Sequence, residues 1–166
     1  AYVGDFLATA AQNKLPIHGA TLHKYISVTS AQDTDGLRLD ETTARLTSYA
    51  ATVADGWLRG GGTEADAPRP WCGECGPHTG GCVEAEGPTC RECDHTSMRW
   101  ATFGDSLWYV DALASAARLS YETFCRQDYI GIDYGLVDCA TGLPLPDYWS
   151  AVVWSRLTGD VVLNAI

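Results

Sequence analysis

The spacing of apolar residues switches repeatedly between helical and strand-like periods, and that alternation restricts the fold of this chain more than any other feature. Val3, Phe6, Leu7 and Ala10 recur at three- and four-residue steps, which predicts a helix over Tyr2–Gln12 whose first turns lie before residue 1. After Pro16, the β-branched and aromatic run Gly19–Ile26 predicts a strand ending near Tyr25. Asp40, Glu41, Thr42 and Thr43 stand ahead of Leu46, Tyr49, Ala50, Val53, Trp57 and Leu58, a helical stripe that Gly60, Gly61 and Gly62 end. Trp71–Glu74 follows as a short strand, and 76–94, rich in Gly, Pro and Cys without a period, as a long loop. A helix capped by Thr96 or Ser97 carries Trp100, Phe103, Leu107, Trp108, Val110 and Leu113, and Thr123–Gln127 is the next strand. Behind Pro146 and Asp147, a last helix carries Trp149, Val152, Val153, Trp154 and Leu157. Gly159 ends it, and Val161–Leu163 opens a further strand.

Helix and strand alternating at crossover length define a parallel α/β protein. Three parallel strands do not make a sheet covered on both faces, and the pattern is interrupted at each end of the 166 residues. The expectation is the C-terminal part, about three β/α units, of a TIM-type (β/α)8 barrel. In such a barrel the chemistry gathers at the carboxyl ends of the strands. Those ends carry His23 and Tyr25, then Glu74, then Arg126 and Gln127. Six Trp and eight Tyr within a 46% hydrophobic composition supply a core, and no run approaches the length of a membrane span. Twenty-one acidic against eleven basic residues give a charge of −10, which argues against nucleic acid as a partner. The opening residues have no basic and apolar leader, so the compartment must be argued from elsewhere.

Glu74 stands in Trp71-Cys72-Gly73-Glu74-Cys75-Gly76, where a glycine before the carboxylate opens a strand end into a pocket. On spacing alone it is either a nucleophile or a solvated loop carboxylate. The segment W-C-G-E-C-G-P-H-T-G-G from Trp71 to Gly81 resembles the tryptophan-x-glycine-glutamate segment and paired glycines of the heparanase-like glycoside hydrolases of family 79. T-F-G-D-S-L-W-Y-V-D-A-L (102–113), C-R-Q-D-Y-I-G-I-D-Y-G-L-V-D (125–138) and P-L-P-D-Y-W (144–149) resemble three further blocks in the family's order. T-L-H-K-Y (21–25) is similar to the family's His-His-Tyr strand end, with Lys24 in place of the second histidine.

The resemblance implies a retaining β-glucuronidase or endo-β-glucuronidase, built as a barrel followed by a β-sandwich. Residues 1–159 would form the partial barrel, with a Cys-rich insertion at about 76–95, and 160–166 the start of the sandwich. Glu74 would be the nucleophile. Gly80 and Gly81, matching the paired glycines, would bind the sugar carboxylate through backbone N–H groups, and Gln127 and Tyr134 would contact the glucuronic acid ring. His23 and Tyr25 would line or support the site. Retaining hydrolysis needs a second carboxyl group about 5–5.5 Å from the first. The family's Asn-Glu-Pro-like acid/base segment is missing from this sequence, so these 166 residues alone are expected to be inactive. No metal or cofactor is implied. The partner would be a glucuronic-acid-containing polysaccharide or proteoglycan glycan. Lys14 and Lys24 are the only lysines, so a weakly sulfated polymer stands beside heparan sulfate as substrate. Arg126, next to Gln127 along the strand, should point to the opposite face into a buried ion pair.

The seven cysteines support a competing function. Cys72-x2-Cys75 and Cys90-x2-Cys93 have the ligand number of a four-thiolate zinc site, with Cys82, His78 and His95 as further donors. That would make the protein a metal-stabilised binding module. Alternatively, Cys82, Cys90 and Cys93 belong to a loop pinned by disulfides, which fits a secreted or lysosomal enzyme, membrane-associated or free. Cys125 is expected to be a buried free thiol. A degenerate relative that binds glycans without cleaving them is the remaining alternative.

Overall fold

A computed structural model describes residues 2–25, 39–77, 103–130, 134–138 and 141–163. Helix α1 (Tyr2–Gln12), strand β1 (Gly19–Tyr25), α2 (Leu39–Arg59), β2 (Arg69–Gly76), α3 (Phe103–Arg118), β3 (Thr123–Arg126) and α4 (Pro146–Leu157) follow one another in strict alternation. The strands form one parallel sheet in the order β1-β2-β3. The predicted class and element order are therefore present.

Three apolar clusters step across one face of the sheet. Leu7, Ala20 and Val53 join α1, β1 and α2. Leu46, Cys72, Cys75 and Ala116 join α2, β2 and α3, and Trp108, Tyr109 and Ala112 seat α3 against Phe124 of β3 and Ala151 of α4. Helices α1 and α2 touch through their backbones: a Cβ on Gly56 would sit 2.6 Å from the carbonyl oxygen of Gly4.

Each of the first three helices hands the chain to its strand through a residue in the left-handed region: Lys14, Gly61 and Ser120, with φ of 53°, 86° and 58°. Behind them Leu15 N donates to Ala10 O, Gly62 N to Trp57 O and Tyr121 N to Ala116 O, which satisfies last-turn carbonyls. These turns lie at the amino ends of the strands. Glu122, beside the last of them, accepts from Trp71 Nε1 at 2.7 Å and lies 3.2 Å from His18 Nε2.

Val161–Leu163 is exposed and pairs with no strand among the described residues. One expectation fails here. Cys125 is a free thiol as expected, but an exposed one. Phe124 and Arg126 take the helix-covered side of β3, and alternation leaves Cys125 on the uncovered side. The Trp100 turn, its Thr96 or Ser97 cap and the Cys-rich insertion lie outside the described residues.

Candidate active site

The uncovered face of the sheet carries the strand-end polar residues, and a β-bulge decides how. His23 pairs with Glu74 across β1 and β2, whereas Leu22 pairs with Cys72, so β2 holds one extra residue between these pairs. The register against β3 shifts in the same place. An inserted residue changes which side chains share a face. Cys72 and Cys75 consequently both point into the cluster beneath α2 and α3, while Gly73 lies over Thr21 and His23 on the open side, next to Glu74.

Glu74 is held from both oxygens. The Tyr25 hydroxyl donates to Oε1, and His23 Nδ1 lies 3.2 Å from Oε2. Burial first, then the hydrogen bond to Glu74 and its charge, raise the Tyr25 phenol well above its ordinary pKa, so Tyr25 remains a donor throughout the physiological range. The glycine at 76 makes room for this arrangement: a Cβ there would stand 2.8 Å from the Tyr25 ring. The Glu74 side chain retains one third of its surface exposure, so the fixed carboxylate is accessible.

Gln127 follows β3 directly, half-buried, with its backbone N donating to Cys75 O at 2.8 Å. Tyr134 is buried, its ring beside Gly76 and within electrostatic reach of Tyr25. The structure thus brings together Glu74, His23, Tyr25 and Tyr134 and places Gln127 on the adjoining strand end. Gly80 and Gly81 lie outside the described residues. Lys24 does not join the set. It alternates toward α2, where burial and then Arg45 lower its pKa while Glu41 opposes them. Of the other glutamates, Glu41 pairs with Arg45 at 2.7 Å and Glu122 sits at the far end of the sheet.

The zinc reading requires Cys72 and Cys75 as thiolates on a knuckle. They are instead joined to each other in a disulfide, with Cα atoms 6.0 Å apart, inside an apolar cluster. Cys82, Cys90, Cys93, Cys139, His78 and His95 lie outside the described residues.

One cluster that carries structure around the site received only half a reading from the sequence. Arg126 does point away from the open face, and its guanidinium meets two aspartates, Asp105 in the first turn of α3 and Asp147 in the first turn of α4. Both lie within family-like sequence blocks, D-S-L-W (105–108) and P-D-Y-W (146–149). A carboxylate in a first helical turn ahead of apolar residues is the signal that could have marked them.

No protein-family model matches the chain. Among curated proteins it is 42% identical over 94 residues to heparanase-like protein 1 of Arabidopsis thaliana, covering 57% of this chain and 15% of that one. It is 47% identical over 63 residues to baicalin-beta-D-glucuronidase of Scutellaria baicalensis, 38% of this chain and 12% of that one. The heparanase of Gallus gallus is 32% identical over 146 residues, 86% of this chain and 24% of the heparanase. A span of that share includes Glu74, Gln127 and Tyr134, which stand well inside the chain. The chain spans only about an eighth to a quarter of the length of these relatives. Among solved structures it superposes on AbfB, a family 51 α-L-arabinofuranosidase from Bifidobacterium longum, with a TM-score of 0.56 at 14% identity, covering 90% of this chain and 32% of AbfB. That likeness concerns the fold.

Proposed function

We propose that this chain, a relative of the heparanase-like proteins and a glycosidase by that kinship, belongs to a retaining hydrolase of β-linked glucuronic acid, with Glu74 as nucleophile. The observation that carries the reading is the seating of Glu74: an accessible carboxylate at the carboxyl end of a parallel strand, fixed by Tyr25 and His23. Fixing both oxygens aims one lone pair at a single point on the open face, which is what attack on an anomeric carbon needs. The acid/base carboxyl group is contributed by a part of the protein outside these residues, and the three β/α units are part of a (β/α)8 barrel. Its interior face is the one bearing Thr21, His23, Gly73 and Glu74. Gln127, Tyr134, Gly80 and Gly81 contact the glucuronic acid, the last two through backbone N–H groups. The substrate is a glucuronide-bearing polysaccharide or proteoglycan glycan. Among the described residues no helix is long and apolar enough to cross a membrane. The Cys72–Cys75 disulfide supports a secreted or lysosomal setting.

The test is covalent trapping in the whole protein with a glucuronide-configured cyclophellitol aziridine, which captures retaining nucleophiles. A single adduct mapped by peptide mass to Glu74 is expected, and an adduct on another carboxylate, or none, overturns the reading. A second expectation concerns Tyr25. Tyr25→Phe keeps the ring over Gly76 but removes the donor to Oε1, and loss of one fixed donor at a reacting group lowers kcat/KM by about 10²-fold. Steady-state rates on an aryl β-glucuronide check this, and a loss below threefold would remove Tyr25 from the machinery.

A further inference from the structure

We infer that Arg126 is a positioning residue for the sugar-binding segment: from behind the sheet it fixes the backbone that carries Gln127 and Tyr134. The inference rests on the assignment of those two residues as glucuronic acid contacts.

The side chain of Arg126 is 2% exposed. Its Nη2 shares its two N–H groups among Asp105 Oδ2 at 2.9 Å, Asp147 Oδ2 at 2.7 Å and the main-chain carbonyl of Tyr134 at 2.7 Å. Nε reaches Asp147 Oδ2 at 3.2 Å, and Nη1 donates to the carbonyl of Gln127. The guanidinium lies 5.4 Å from the ring centroids of both Trp108 and Tyr134 and 5.6 Å from that of Tyr109. Two of its acceptors are thus main-chain oxygens at the two ends of the segment that connects Gln127 to Tyr134.

An ion pair that served only to join α3 to α4 would need the aspartates alone. The carbonyl bonds do something else: they tie residues 127 and 134, seven positions apart, to one rigid plane that cannot rotate without breaking the aspartate bonds as well. Only a guanidinium has the fork to do this. A lysine in the same space is a single point charge with no fixed plane. One cation faces two buried carboxyl groups, and burial followed by the neighbouring Asp147 raises the pKa of Asp105 well above the ordinary carboxylate range.

The experiment compares full-length wild type, Arg126→Lys and Asp105→Asn by amide hydrogen exchange and by glucuronide kinetics. In Arg126→Lys, peptides covering 127–138 should exchange about tenfold faster or more while β1 and β2 peptides stay as in wild type. KM for an aryl glucuronide should rise about tenfold with kcat within about threefold. Asp105→Asn, which keeps both carbonyl bonds, should shift the melting temperature but neither of these. If Arg126→Lys and Asp105→Asn differ only in melting temperature, the role is merely structural and the inference fails. Should Arg126→Lys not accumulate as folded protein, the wild type decides: 127–138 must be protected to the level of α3 and α4, and fast exchange there overturns the proposal. If wild type turns over no glucuronide, the functional reading fails separately, and the exchange comparison still decides whether Arg126 fixes the segment.

Discussion

Glu74→Gln in the whole protein is expected to reduce glucuronide hydrolysis by on the order of 10⁴-fold or more, the size of loss seen when a member of a covalent machinery is removed. The amide keeps the shape of the carboxylate and still accepts from Tyr25 through its carbonyl oxygen, but it cannot form or release a glycosyl ester. Folding should be unaffected, within about 0.5 kcal/mol, because the side chain is one third exposed and makes its bonds on the open face of the sheet. Steady-state rates with a thermal melt on the same preparation separate the two effects. Retention of a tenth or more of wild-type activity would show that the nucleophile is another residue.

The largest expected effect on stability lies directly behind that carboxylate. Leu46 is 1% exposed and packs from α2 onto Cys72, Cys75 and Ala116, filling the space on the helix side of the strand that bears Glu74. Leu46→Ala should cost about 2–5 kcal/mol, transfer of the lost methyl groups plus the cavity they leave. The upper part of that range is expected, since the disulfide and the α2–α3 contact limit how far the cluster can collapse. Denaturant unfolding with fluorescence detection measures it, and a loss below 1 kcal/mol would mean that the cavity closes by movement of α2.

Much of this architecture was legible because each helix exposes one face and buries the other. The stripe of Val3, Leu7 and Ala10 predicted the bounds of α1 as they are found, Tyr2–Gln12, and Gly61 marked the end of α2 because only a left-handed residue closes that turn without cost. The Glu74, His23 and Tyr25 grouping was legible for a different reason: parallel strands in consecutive units bring their carboxyl ends side by side, so local order along the chain becomes proximity in space. Other features had no periodic signature. Strict alternation would place Cys72 and Cys75 on opposite faces of β2, and their pairing depends on an inserted residue that only Gly73 hinted at. Asp105 and Asp147 resemble ordinary first-turn carboxylates in sequence. Their burial follows from two helices that converge on Arg126, which no single window of the chain contains. Val161–Leu163 has the composition of a strand, but composition supplies no partner.

The bulge in β2 behaves like a frameshift in a code of period two. Upstream of it the even-numbered positions, Pro70 and Cys72, are read toward the helices; downstream the odd-numbered Cys75 is. Without the bulge, with Gly73 taking an ordinary place in the alternation, a single frame would run through the strand, turning the carboxylate of the next residue inward onto Leu46 and the second sulfur outward. Every candidate side chain would still be in the chain, in the same order, and the carboxylate, His23 and Tyr25 would no longer face one another. What assembles them is the number of residues in one strand, counted against its neighbours.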